Sequence, residues 1–441
     1  MYCIISKLLK LTIIILSLFM TTSCGGGGGG SPAVDVSAVG SAGTLSYSPE
    51  TCSDADQLEF IYDVMHDVYL WSDSVPDADY TAYTSQDSLI NDLMVSPDRW
   101  SYVTTQQEYN DHYAGSNTGM GIMMQYSSSA KEIFISFVYP GSPADTAGIM
   151  RGFRILTANG YTAAEIIDQN LWDEAFSTGT EITLTYLDNQ GTAGSASVAI
   201  ADYHADSAPV YSIIDTPAGK AGYLLYMSFN ENYYTELSEA FTAFESAGVN
   251  MLLLDLRYNG GGLTSAARYI GSAIAGGSLI YNVMYQYVHN SRYSSWDRSS
   301  YFTYTPYSLN IDKVAFLVTG GTASSGELLI NSVRPWKQTY LIGSKTYGKP
   351  VGMYSFAFCD KYIVPVSFYL VNSHGDGGFF DGLDVDCEVS DDLSSQLGNE
   401  NESMTAAAMT MLETGSCARS AAVRKYSSPP AKGIRKIFNS R

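Results

Sequence analysis

Large apolar side chains recur at helical spacing in the first well-patterned stretch of the chain. In ADQLEFIYDVMHDVYLW, Leu58, Ile61, Tyr62, Met65, Val68 and Tyr69 fall on one stripe. DSLINDLMV repeats the pattern between loops rich in Asp and Pro, so residues 54–114 are predicted to form a small helical domain. From residue 119 the period shortens to two. GMGIMMQY, EIFISFVY, EITLTYLD and SASVAIADY read as short strands separated by PGSPADTAGIMRG and DNQG, with one helical piece, YTAAEIIDQNLWDEAF, among them. Residues 115–204 are thus predicted to be a compact β-rich module. From residue 219 strands and helices alternate. AGYLLYMSF, VNMLLLDL, KVAFLVTG and TYLIG are nearly all-apolar strands, and YYTELSEAFTAFESAG, LTSAARYIGSAIAGG and the stretch after Ser324 are helices. Strands apolar on both faces imply a largely parallel, covered sheet over residues 205–417, with its site at the C-terminal strand ends.

The two ends of the chain lack this patterning. Residues 4–20, IISKLLKLTIIILSLFM, form a short apolar run around Lys7 and Lys10, followed by TTSC and six glycines. That order predicts a signal peptide over residues 1–23, with Cys24 placed where a bacterial lipoprotein carries its lipid. Residues 24–53 then form a flexible tether, and the expected location is the bacterial cell envelope, lipid-anchored to the outer membrane. Residues 418–441 carry Arg419, Arg424, Lys425, Lys432, Arg435, Lys436 and Arg441 with no acid, and are read as a disordered basic tail. Formal net charge is −21 over 441 residues, so the rest of the chain is more acidic still. With no basic face to neutralise phosphates, nucleic acid is excluded as a partner. Cys52, Cys359, Cys387 and Cys417 fit no zinc spacing, and export favours one or two disulfides of unassigned pairing. No metal or other cofactor is expected.

Candidate chemistry gathers in three stretches poor in bulk. DLRYNGGG, residues 255–262, follows a buried strand, and its glycines allow backbone N–H groups to converge on an anion or oxyanion. Its spacing matches neither G-x-x-x-x-G-K-[ST] nor G-x-G-x-x-G. GGTASSGE, residues 320–327, packs three hydroxyls into a helix entry where one cap would suffice. LIGSKTYGKPVG, residues 341–352, holds Lys349 in a stiff turn before Pro350. A buried amine loses its hydration, its pKa falls, and the neutral form can take a proton from a serine hydroxyl. His204, His289 and His374 show no nucleophile-elbow or Asp-partner pattern, and His66 and His112 are read as structural, so a Ser/Lys dyad accounts best for these stretches. Asp255 and Arg257 are read as structural support of the glycine loop.

The β-rich module resembles a PDZ domain. GMGI takes the place of its carboxylate-binding loop, making Gly119, Met120, Gly121 and Ile122 candidate peptide-binding residues, and VYPGSPADTAGIMRGFRILTANG its central block. Over residues 54–400 the chain resembles the C-terminal processing peptidases, or tail-specific proteases. DLRYNGGGL matches their glycine loop, GGTASSGE their nucleophile turn and LIGSKTYGKPVG their lysine turn. The resemblance implies a multidomain α/β fold: a crotonase-like (ClpP-like) catalytic domain, a PDZ-like β-rich domain and an N-terminal helical domain. It implies Ser324 as nucleophile, Lys349 as base and Glu327 beside the dyad. An oxyanion hole then falls to the N–H groups of Gly261 or Gly262 and of Ser325, and the substrate is a protein or peptide. Two positions depart from the family pattern. Met353 replaces a lysine-holding Gln, so Glu327 is expected to orient Lys349 instead, and Gly260 stands where Pro is usual. The tyrosine-rich insert 282–307 is expected to be a lid or cleft wall. A non-enzymatic alternative is a tethered peptide- or glycan-binding lipoprotein.

Overall fold

The structure, a computed structural model, describes residues 45–114, 116–417 and 426–429, with the side chains of 112–116 excepted. The predicted signal segment, Cys24 and all of the tether before residue 45 lie outside the described residues, as does the basic tail apart from 426–429. Among the described residues no helix is long and apolar enough to cross a membrane.

Helices α1 (Asp54–Asp67) and α2 (Gln86–Leu93) start at Ser53 and Ser85, whose hydroxyls cap the N–H groups of Asp56 and Ser88. The predicted stripe of α1 is wider than its spacing implied, because Phe60 and Val64 are also buried. The reason is that this segment has no core of its own. It packs into the cluster that contains Phe356, Phe358 and Phe368, nearly three hundred residues later in the chain. Strand β1 (Tyr102–Thr105), which the helical reading missed, pairs antiparallel with Lys361–Val364, Tyr102 opposite Val364. Helix α3 (Gln106–Ala114) then leads into the β-rich module.

That module is a sheet of β2 (Ile122–Ser127), β3 (Glu132–Val138), β4 (Arg154–Ala158), β5 (Glu181–Leu187) and β6 (Ala193–Ala199), in that spatial order. Helices α4 (Ala163–Gln169) and α5 (Trp172–Phe176) close one face over Ile133, Ile155, Ile182 and Leu184. Alternate residues of each strand supply that core, as a half-buried sheet requires. Strands Ser116–Gly119 and Ala201–His204 pair at the entry and exit of the module.

The last and largest unit has the predicted covered sheet. Its order is β7 (Val210–Thr216), β8 (Gly219–Leu225), β9 (Met251–Asp255), β10 (Lys313–Val318), β11 (Gln338–Gly343) and β12 (Cys387–Glu388), parallel except for the hairpin of β7 with β8. Leu252 and Leu254 of β9 pack in one cluster with α6 (Ser238–Ala247), α7 (Thr264–Ala275) and α8 (Ser325–Val333), while Leu253 packs with α9 (Ser403–Thr414). Burial on both faces is why this strand reads as an unbroken apolar run. A second sheet, in the order Arg298–Tyr301, Val283–His289, Val366–Asn372, Val351–Met353, covers the α7 and α8 layer. It absorbs the tyrosine-rich insert. Tyr285 and Tyr287 are buried in this sheet, so of the two expected roles the insert takes the back of the cleft wall and not that of a lid. Disulfides join Cys52 to Cys359 and Cys387 to Cys417.

Candidate active site

The three hydroxyls of the small-residue turn have separate roles. Thr322 Oγ1 donates to Leu256 O at 2.7 Å, and Ser325 Oγ donates to Gly262 O at 2.6 Å. Both hydroxyls therefore fasten the turn to the glycine loop, and Ser325 is spent as a rival nucleophile. Ser324, between them, is only partly buried. Its backbone has φ 52° and ψ −115°, a region L-residues avoid because Cβ crowds the backbone, at a cost of roughly 1–3 kcal/mol. Small neighbours are needed because this sharp strand-to-helix turn presses against another loop.

The pressing loop is Asn259–Gly262. A Cβ at Gly261 would lie 2.7 Å from Ser324 Cβ, and one at Gly262 would lie 2.3 Å from Phe229 O. Their φ values, 106° and 133°, also favour glycine. Asn259 braces the loop: its Nδ2 donates to Tyr226 O at 2.9 Å, and its Oδ1 accepts from Gly261 N–H at 2.8 Å. The Gly261 N–H is thereby engaged, which removes it from the expected pair of oxyanion donors. Gly262 and Ser325 line one cavity together with Ser324 and Lys349. Ser325 opens α8, so its N–H has no intrahelical acceptor.

Lys349 is 3% exposed. Burial pulls its ammonium pKa down from 10.5 to about 8, with Asp98 and Glu327 opposing the shift. Its Nζ donates to Met353 Sδ at 3.3 Å, so the residue expected to be idle is a partner of the amine. Glu327 does not hold the amine as expected. Its carboxylate accepts from the N–H groups of Ser324 (3.0 Å), Gly348 (2.7 Å) and Lys349 (2.8 Å) and from the Thr346 hydroxyl. Desolvation raises this carboxyl's pKa, and the four donors offset that only in part. Three of its four partners are backbone N–H groups that can only donate, an arrangement that favours a carboxylate as acceptor. Glu327 thus ties the backbones of the serine and lysine turns to one point.

Below the glycine loop lies a buried charged cluster. Arg257 Nε pairs with Asp255 at 3.0 Å, its Nη1 reaches Asp391 and Glu402 at 2.9 Å, and its Nη2 reaches Glu402 at 3.0 Å. Arg151, from the β-rich module, meets the same Asp391 and the Tyr258 hydroxyl. Burial raises the Asp391 pKa, but Arg151 and Arg257 outweigh it and hold it below the usual carboxylate range. Asp255 and Arg257 therefore support the loop from behind, and neither lines the cavity. Sequence reasoning missed Asp391, Glu402 and Arg151. The only local signal was an arginine in the otherwise apolar and glycine-rich GIMRG.

Tyr102 and Tyr109 from the N-terminal segment, and Gly352 and Phe368 from the second sheet, complete the cavity wall. Contrary to expectation His289 does have an acidic partner, Asp297 Oδ1 at 2.9 Å from Nδ1. Its Nε2 faces the Tyr354 hydroxyl, burial lowers its pKa, and it does not line the cavity. In the β-rich module Gly119, Met120, Gly121 and Ile122 sit at the head of edge strand β2. Gly121 has φ 76°, where a Cβ would collide with Ser142 at 2.2 Å.

Fold and site together define an α/β peptidase architecture with a PDZ-type module threaded into it. Residues 220–389 match the profile of peptidase family S41, residues 56–102 its N-terminal domain and residues 111–187 the PDZ domain. The carboxyl-terminal-processing protease of Synechocystis is 26% identical over 268 residues, covering 59% of this chain and 60% of that protein. The chloroplastic C-terminal processing peptidase of Tetradesmus obliquus is 28% identical over 253 residues, covering 54% of this chain and 52% of that one. The chain thus spans between half and three fifths of these relatives. A crystal structure from Bacteroides fragilis, described as an S41 protease, superposes with a TM-score of 0.68 at 23% identity, covering 84% of this chain and 99% of that one, and shares the fold. Together the family models and these relatives support a C-terminal processing peptidase family for this chain.

Proposed function

We propose that the protein is a serine endopeptidase that cleaves peptide bonds through an acyl-enzyme, with Ser324 as nucleophile and Lys349 as general base. The observation that carries this reading is the shared cavity: a serine on a strained turn and a buried lysine with a depressed pKa line it together with Gly262 and the first residue of α8. Neutral Lys349 takes the Ser324 proton as Oγ attacks the scissile carbonyl. The N–H groups of Gly262 and Ser325 receive the oxyanion, each worth about 3 kcal/mol in such sites. The lysine ammonium returns its proton to the leaving amine, then takes one from water as the hydroxide attacks the ester. Glu327 acts as a positioning residue through the backbone.

The edge of β2, headed by the Gly119–Ile122 loop, is proposed to take the C-terminal tail of the substrate as an added strand. Two disulfides in the folded part support an exported protein, and with them the proposal that Cys24 anchors it by lipid in the bacterial cell envelope, facing exported proteins or peptides. The test is cleavage of an unfolded protein by the mature chain and its Ser324→Ala variant. Turnover is expected to disappear in the variant while peptide binding persists. Equal turnover by both would refute the nucleophile, and binding without turnover by the parent would favour a peptide-binding protein without catalysis.

A further inference from the structure

Residues 426–429 lie along the open side of β2. Tyr126 N–H donates to Ser427 O at 2.8 Å, and Ser427 N–H donates to Tyr126 O at 2.9 Å. The bridge is antiparallel, and the Tyr426 ring meets Phe134 of β3 edge-on at 5.6 Å between centroids. Since β2 has β3 on its other side, this bridge lies on the open edge of the sheet, where an added strand would pair. Antiparallel polarity carries the chain after Ser427 past Gln125 and Met124, toward the Gly119–Ile122 loop. That is the direction in which an added peptide brings its carboxyl end to such a loop.

The contact is built to be displaced. Pro429 comes two residues after Ser427, at the next position whose N–H would face β2, and proline has none to donate. Ser427 therefore supplies one reciprocal pair where an ordinary peptide could continue the ladder. Attachment offsets this weakness, because Cys417 is pinned to Cys387 and eight residues separate it from Tyr426. A short link of that kind holds its end at an effective concentration on the order of 1 mM. The seven basic residues of 418–441 on a chain of net charge −21 add long-range attraction.

We propose that the C-terminal segment of this chain is a ligand of its own PDZ module, occupying the β2 edge in competition with incoming peptide tails. The inference rests on the reading of that edge as a peptide site. The experiment uses the full mature chain carrying Ser324→Ala, with and without Ser427→Pro, which removes the donor to Tyr126 O. Amide hydrogen exchange reads Tyr126, and fluorescence polarisation reads binding of a labelled synthetic peptide of residues 420–430. In the Ser427→Pro protein the Tyr126 amide is expected to exchange faster and the probe to bind about tenfold tighter, as expected when a tethered competitor is removed. Tyr426→Ala, which strips the ring from Phe134, is expected to move both readouts the same way. Unchanged protection of Tyr126 would show that the segment does not dock and overturn the proposal. Faster exchange with equal probe binding would leave the peptide site standing and overturn the competition. Faster exchange with no probe binding to either protein would overturn both the competition and the peptide-site reading.

Discussion

A lysine base with its pKa near 8 sets the pH dependence of the proposed reaction. At the ordinary value of 10.5 about 0.03% of the amine is neutral at pH 7, whereas at about 8 the neutral share is about 10%, a gain of roughly 300-fold in competent enzyme. The value of kcat/KM, which reports the free enzyme, should therefore rise about tenfold per pH unit below 8 and level off above it. The assay is cleavage of a fluorescently labelled unfolded protein from pH 5.5 to 9.5 at constant ionic strength. Met353 supplies the control. Its thioether is a weak acceptor for Lys349 Nζ at 3.3 Å. Met353→Gln places an amide oxygen there, which favours the ammonium and should move the bend to higher pH by about half a unit to one unit. Stability gives an independent check. The depressed folded pKa means that the unfolded chain binds more protons between pH 8 and 10.5. Burying the charged amine costs about 3 kcal/mol below pH 8, and that cost is relieved as pH rises through this window. A flat rate profile between pH 6 and 9, or a bend that Met353→Gln leaves in place, would refute the assignment of Lys349 as base.

Gly261→Ala puts a methyl group 2.7 Å from Ser324 Cβ at a φ of 106°, so kcat is expected to fall about 100-fold or more in the same assay, since misplacement by about an ångström costs that much. Glu327→Gln turns an amide NH2 toward groups that are all donors. A loss of about 1–3 kcal/mol in urea unfolding is expected, with kcat reduced and KM little changed, because the turns are displaced and no substrate contact is removed. Arg257→Met leaves Asp255, Asp391 and Glu402 without their shared cation, and the urea midpoint should drop by the equivalent of about 3–5 kcal/mol.

Elements whose signal is local were legible in the chain itself. The all-apolar MLLLD of β9, the alternation in β2 and β3, and the glycines of residues 260–262 each report a neighbourhood through burial period or backbone freedom, and the three short motifs place Ser324 and Lys349. Their order along the chain also carries the module order. What escaped the sequence depends on segments far apart meeting. The helical stripe of α1 was readable, but its core lies in strands from the other end of the chain. Disulfide pairing, the passage of Arg257 to Asp391 and Glu402 across 134 and 145 positions, and the spending of the Gly261 N–H on Asn259 are equally silent in the linear text. Glu327 shows the division within one residue. Its place on the first turn of α8 marks it as a helix-favourable charge, yet its role of gathering N–H groups from the serine and lysine turns exists only once the folded chain brings both turns to its carboxylate. Periodicity encodes which face of an element is buried, whereas hydrogen-bond partners are chosen by which buried donors and acceptors the packed layers leave facing one another.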